Sequence, residues 1–471
     1  MLRQYVEAFN AGDEEIFRQC IPNADAFEWL RQQIPVLECP DKELEKTYHF
    51  RWWTLRKHWK QTPHGHVMTE FLPDVPWAGP FNTINCPLGH HIREGRWLSD
   101  EAGWMKEYIR FWLDGHGDAL SYSTWLATAV EEYCRLRGEY AFEAECIDPL
   151  CRLYEERVQH QQQPCGLFYS EDGRDGMEIS ISGSGLRPTL NTYMWSDACA
   201  IARMARRAGR DDVAALYQQK ADVLYDLIEK YLWDGDFYRV VPCECGGQLQ
   251  PRGRNRVREL LGFIPWAFGL APKGREDTFA QLMQTDGFFA PRGLTTAERR
   301  HPRFMFAHEH ECLWNGPSWP FATSQTLVAA ARLLREYPAT PHFTKQDYWT
   351  LLKQYADAHQ LDGKPWIDEN YDPFTGEWIA SKELMEDGWK PARGGYERGK
   401  DYNHSLFCDL VLSGLLGIGT DKSGHLTADP IVPDDWGWFR VSHLRHAGAY
   451  WCVSYTRKGG VVITREEERN E

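Results

Sequence analysis

Residues 196–233 read SDACAIARMARRAGRDDVAALYQQKADVLYDLIEKYLW. Ser196-Asp197 supplies a helix start, Ala198, Ile201, Ala202 and Ala205 fall on one face, and Gly209 stops the helix. From Asp211 a second helix follows, its apolar stripe running through Val213, Leu216, Tyr217, Ala221, Leu224, Leu227, Ile228 and Tyr231. The same 3.6-residue period recurs over residues 99–113, 122–137, 141–160, 321–337, 346–359 and 405–416, and more weakly over 11–20, 42–60, 258–268 and 277–284. Adjacent helices come in pairs, with no strict repeat and with Gly-, Pro- and Trp-rich loops between pairs. That pattern fits a closed double ring of helices whose loops build a cleft at one end. From Gly424 the period changes to short alternating runs at 425–429, 438–444, 449–456 and 461–464, with a hairpin signal at Gly459-Gly460 and a charged tail over 465–471. The expected organisation is a mainly α chain: a helical lead-in over 1–60, a helical ring over 61–420, and a small antiparallel β module over 421–471.

Composition narrows the function. The 471 residues carry a net charge of -15, which opposes binding to a phosphate backbone or an anionic membrane surface. Aromatic residues make up 14% of the chain, including 21 Trp. Trp beside carboxylates suits a sugar, which presents flat C–H faces ringed by hydroxyls. The 13 Cys form no framework spacing, no run of about 18 apolar residues occurs, and the first residues carry no leader pattern, so a reducing cytoplasm is expected. No phosphate-cradling loop and no GxSxG elbow is present. His308-Glu309-His310-Glu311, His90-His91 and Cys243-Glu244-Cys245 lack a complete four-ligand spacing, so neither a metal nor a cofactor is expected. The expected partner is a carbohydrate, with no nucleic acid and no membrane; homo-oligomerisation is left open.

Two loops mix carboxylates with glycine. The first runs from Glu171 through Asp172-Gly173-Arg174-Asp175-Gly176-Met177-Glu178 to Arg187-Pro188, ahead of a helix; the second is Trp366-Ile367-Asp368-Glu369-Asn370-Tyr371-Asp372-Pro373-Phe374-Thr375-Gly376. Taken singly, such residues serve most often as turns and caps. Together they resemble a family. The second loop is similar to the ENYxPxTG segment of (α/α)6-toroid glycoside hydrolases, the group of family 63 glucosidases and mannosylglycerate hydrolases. Trp314-Asn315-Gly316-Pro317-Ser318-Trp319-Pro320 resembles their WxGPxWP segment, and Asp172-Gly173-Arg174-Asp175 their SGxD segment, with Asp172 where the family has Ser. The resemblance spans roughly residues 78–417. It implies an (α/α)6 toroid and an inverting hydrolase of an oligosaccharide or small glycoside, with Glu369 as general base and Asp175 as general acid, Glu178 standing in reserve. Trp314, Trp319, Arg174, Arg187, Asn370, Tyr371, Glu397, Arg398, Asn403, His404 and Trp97 are the candidate sugar-binding residues, with Trp52, Trp53, Trp77 and Tyr402 as further candidates. Glu94 and Glu311 are outside candidates for a catalytic role. The alternatives are a catalytically inactive sugar-binding scaffold, a zinc-dependent arabinofuranosidase-like enzyme, or another carbohydrate enzyme on the same ring.

Overall fold

A computed structural model of the protein describes residues 1–247 and 256–467; the last four residues of the charged tail lie outside the described residues. Among the described residues six outer helical elements alternate with six inner ones along the chain. The outer elements are Lys42–Lys57, Trp104–Leu113, Tyr140–Gln161, Asp211–Tyr231, the 3-10 turn Glu276–Leu282, and Lys345–Asp357. The inner ones are Leu88–Gly95, Leu126–Arg137, Pro188–Arg207, Ile264–Ala267 with the 3-10 turn Leu260–Phe263, Pro320–Glu336, and the π-helical turn Leu410–Leu415. Successive inner elements pack side by side in chain order. Glu94 at the end of the first inner helix closes the ring: its carboxylate accepts from the backbone N–H of Phe407 (3.1 Å), Cys408 (2.8 Å) and Asp409 (2.8 Å), donors at the start of the last inner element. Glu94 is therefore a structural cap, spent on backbone.

Inner helices are buried on nearly every side, polar residues such as Asn191 and Gln325 included, because they face both the ring axis and the outer helices. Pro188 and Pro320 each occupy the first turn, where a missing N–H costs nothing. Outer helices keep a polar face and carry capping signals. Asp41 accepts from Leu44 N at 2.8 Å, and Thr344 with Asp347 forms a reciprocal capping box.

The structure departs from the sequence expectation at several helices: Ala26–Gln33 and Ile379–Glu386 also form without a period read from the sequence. Leu88–Gly95, where no helical period is read above, is the first inner helix; a Cβ on its Gly89 would lie 2.3 Å from the Trp125 ring, so glycine is what lets the helix sit against its neighbour. The first helix is Leu2–Ala11, whereas residues 12–22 are irregular. There Asp13 and Glu15 bind Asn23 (2.8 Å each) and Asp13 pairs with the buried Lys57 (2.8 Å) instead of facing solvent on a helix.

The C-terminal sheet is antiparallel. Trp438–His446, Ala449–Thr456 and Gly460–Arg465 lie in sequence order, and Val36–Glu38 from the lead-in segment pairs along the outer edge of the first. The first hairpin turns on Ala447-Gly448, both at positive φ (45° and 78°), as a tight primed turn requires. The thirteen cysteines are free thiols. Among the described residues no helix is long and apolar enough to cross a membrane.

Candidate active site

A cavity of about 300 Å³ opens where the loops preceding the inner elements converge. Cys86, Tyr122, Gly176 with Glu178, and His310–Cys312 with Trp319 each stand ahead of a different inner helix, and Glu369 with Arg398, Tyr402 and His404 lie on the long connection to the last inner element, Leu410–Leu415. Glu70, Phe71 and Trp77 add a wall from the segment before Leu88. Every polar group in the pocket thus comes from the same end of the ring.

The first acidic loop folds as a 3-10 turn over Gly173–Asp175. The Asp172 side chain accepts from Gly173 N, and Gly176 at φ 69° turns the chain on. This turn sends Asp175 inward, away from the cavity lining. Its Oδ2 accepts from Arg187 Nε at 2.6 Å and from the Thr189 hydroxyl, with both partners of the ion pair fully enclosed. Arg187 is held further by the Gly183 carbonyl at 2.6 Å. Glu178, three residues on, lines the cavity. Its carbonyl accepts from Trp314 N at 3.1 Å, and the next residue, β-branched Ile179, sits at φ 59°. A β-branched residue in the left-handed region is strained, and such strain persists where surrounding contacts over-determine the backbone.

Among the described residues no side chain hydrogen-bonds or pairs with the Glu178 carboxyl. Burial, with the charges of Glu369 and Glu70 adding to it, pushes its pKa up to about 8. Glu369 is placed differently. Arg398 grips its Oε1 through Nε (2.8 Å) and Nη2 (2.6 Å), and the Cys312 thiol lies 3.5 Å from Oε2. Burial lifts Glu369 above the ordinary carboxylate range, and the Arg398 charge offsets only part of that rise. Arg398 also binds Glu311 Oε1 (3.1 Å) and the Arg393 carbonyl (3.0 Å), so its fork is fully used. Glu311 is buried, which opposes ionisation, yet its pairing with Arg393 and Arg398 brings it down to about 2. Burial and the Glu369 charge drive the Cys312 thiol well above its usual range, so it is a donor to Glu369 and not a thiolate.

The remaining sequence candidates separate into three groups. Trp319 lines the pocket and stacks on Trp314 (centroids 4.6 Å apart, 19° between planes); its indole N–H donates to Leu313 O at 2.7 Å. Trp77, 39% exposed, stands at the mouth with Arg398 5.2 Å over its ring. Arg174 is exposed, 5.4 Å over the ring of pocket-lining Tyr122. A second group supports the loops from beneath. Asn370 is buried and bonds Glu311 O (3.0 Å) and Ala380 N (3.0 Å), and Tyr371 packs on Trp378. Asn403 bonds Thr69 O (3.1 Å), and half-buried Glu397 faces Lys400 at 3.5 Å. The third group lies elsewhere: Trp97 donates to Asp409 at 2.7 Å beyond the C-terminal end of the first inner helix, and Trp52 and Trp53 are core. Glu70 was not singled out by sequence reasoning. It is one acidic residue in a loop-rich stretch, with no spacing or motif to mark it. Among the described residues no cluster of three or more His, Cys, Asp or Glu is arranged to hold a metal.

Residues 80–405 match the mannosylglycerate hydrolase MGH1-like glycoside hydrolase domain. The chain belongs to this family. A solved structure titled sialidase superposes with TM-score 0.89 and 34% identity, over 98% of this chain and 42% of that one. The family 63 mannosylglycerate hydrolase of Thermus thermophilus (TM-score 0.53, 13% identity, 78% and 98% covered) and the α-L-rhamnosidase of Streptomyces avermitilis (0.54, 12%, 92% and 37%) share the toroidal fold. Cyclic β-(1,2)-glucan synthase NdvB of Rhizobium meliloti is 22% identical over 376 residues, 71% of this chain and 13% of that protein. The chain therefore spans less than half the length of the sialidase and a small part of the synthase.

Proposed function

We propose that this MGH1-like domain hydrolyses a glycosidic bond at the unsubstituted end of a neutral oligosaccharide or small glycoside, with inversion, using Glu178 as general acid and Glu369 as general base. One observation carries the reading: two carboxyls line one pocket in opposite electrostatic settings. Among the described residues Glu178 pairs with no cation, and burial holds it protonated near neutral pH, whereas Glu369 is clasped by Arg398, whose charge favours its ionised form against the burial that opposes it. Glycosidic cleavage needs that division, with one carboxyl protonating the leaving oxygen while the other activates water. Glu178 takes the acid role over Asp175 because Asp175 is spent on Arg187 and Thr189. The inverting course rests on the resemblance of the Glu369 loop to inverting toroid hydrolases. A cavity of about 300 Å³ is at the lower end of ligand pockets, which favours one terminal sugar ring over the middle of a chain.

The charge of the pocket selects the sugar. Four glutamates line it (Glu70, Glu178, Glu311 and Glu369), and its one guanidinium is fully engaged. A sialic acid, a uronic acid or a glycerate group would meet carboxylates whose only arginine among the described lining residues, Arg398, is already engaged, and like charges at close quarters are costly. Among aryl glycosides of neutral and acidic sugars, kcat/KM is expected to be measurable on at least one neutral glycoside and absent on sialosides and uronides. Turnover confined to the acidic sugars would overturn the reading. Proton NMR of the first-formed anomer tests inversion on whichever substrate is turned over.

A further inference from the structure

We infer that Glu70 is the residue that recognises the terminal sugar, its free carboxylate oxygen accepting hydrogen bonds from hydroxyls of that ring; the inference rests on the glycosidase reading above. The carboxylate is divided between two tasks. Its Oε1 takes the Tyr402 hydroxyl at 3.0 Å and His404 Nδ1 at 2.7 Å, and those two donors lie 3.0 Å from each other. Its Oε2 has no hydrogen-bond or ion-pair partner among the described residues. Glu70 is only 5% exposed and lines the cavity, and Oε2 is not among its sealed-off polar atoms. A buried carboxylate oxygen left open only to a pocket is an acceptor waiting for a donor, because an unmet charge of this kind is costly.

The support beneath Glu70 makes that oxygen rigid. Asn403 N donates to the Glu70 carbonyl (3.1 Å) and Asn403 Nδ2 to the Thr69 carbonyl (3.1 Å), zipping residues 69–70 to 402–404. His91 Nε2 in turn lies 2.6 Å from the Asn403 carbonyl, tying the paired segments to the first inner helix. His404 is wedged edge-on against Phe321 at 4.1 Å, so the ring that orients Glu70 cannot swing. An oxygen fixed to this degree discriminates by position, which is how a polar site rejects an analogue lacking one hydroxyl. Glu70 also lies ahead of residues 80–405, the part of the chain that carries the family pattern. The catalytic pair comes from within that matched range and this contact from ahead of it. A carboxylate acceptor suits a ring with free neutral hydroxyls and excludes one whose hydroxyls are substituted or replaced by an acid.

The test compares an aryl glycoside that the wild-type chain hydrolyses with its monodeoxy analogues. One deoxygenation is expected to lower wild-type kcat/KM about 10–100-fold, the range of a hydrogen bond to a charged group. In Glu70→Gln that ratio should collapse toward one, while the dependence on leaving group, which reports the acid, stays as in wild type. Glu70→Asp withdraws the same oxygen by one methylene, should shrink the ratio likewise, and serves if the glutamine variant fails to fold. An unchanged ratio in the folded variants overturns the inference, as does an equal loss on parent and deoxy substrates, which a merely structural role would give. If the wild-type chain hydrolyses no neutral glycoside, the glycosidase reading fails and this inference with it; if it does and only the ratio is unmoved, Glu70 alone is at fault.

Discussion

Glu369→Gln is expected to reduce turnover by about 10²–10⁴-fold on every substrate, activated or not. Water must be deprotonated whatever the leaving group, and glutamine cannot take the proton. The substitution keeps shape and hydrogen-bonding capacity, but it also leaves Arg398 without half of its charge partners. Arg398 retains Glu311 Oε1 and the Arg393 carbonyl, so the guanidinium stays anchored and the fold should hold. Equal loss on glycosyl fluorides or nitrophenyl glycosides and on alkyl glycosides, measured on protein with wild-type thermal unfolding, is the expected result. A variant with near wild-type rates would remove Glu369 from the chemistry.

Asp175→Asn is expected to act on stability. It breaks a fully buried ion pair and strands Arg187 in the interior, a change of about 3–5 kcal/mol when one partner of such a pair is removed. The loop carrying Glu178 would loosen with it, since the Thr189 hydroxyl and Arg187 anchor the turn to the start of Pro188–Arg207. Denaturant unfolding should show the loss, and activity per folded molecule should keep the wild-type dependence on leaving group. A stable Asp175→Asn protein that fails only on poor leaving groups would instead make Asp175 the acid.

The ring was legible because its helices bury one stripe each, and residues 198–231 show that stripe without help from neighbours. Leu88–Gly95 was not, because LGHHIREG has no stripe of its own: Gly89 is a poor helix former locally, and only the Trp125 ring against it explains the choice. In the site, the ENYxPxTG resemblance pointed at Glu369, which does reach the cavity. The resemblance put Asp175 first and Glu178 in reserve, and the structure places Glu178 on the cavity and Asp175 beneath it, because three residues of turn reverse the direction a side chain points. The partner that turns Asp175 inward, Arg187, stands twelve residues away with nothing to mark the pairing. Glu70 is further out of reach still, since what marks it is a contact with Tyr402 and His404 more than 300 residues later.

The division of labour between the two carboxyls is tested most directly by Glu178→Gln on paired substrates with good and poor leaving groups across pH. An acid with a pKa of about 8 is active while protonated, so wild-type kcat/KM on a poor leaving group should fall as pH rises through that value. Glu178→Gln should cut the rate on alkyl glycosides or oligosaccharides by about 10²–10⁴-fold. It should largely spare activated aryl glycosides, which need little protonation, and abolish the alkaline limb. Equal rates of the variant and wild type on poor leaving groups, with the alkaline limb intact, would contradict the assignment of Glu178 as the acid.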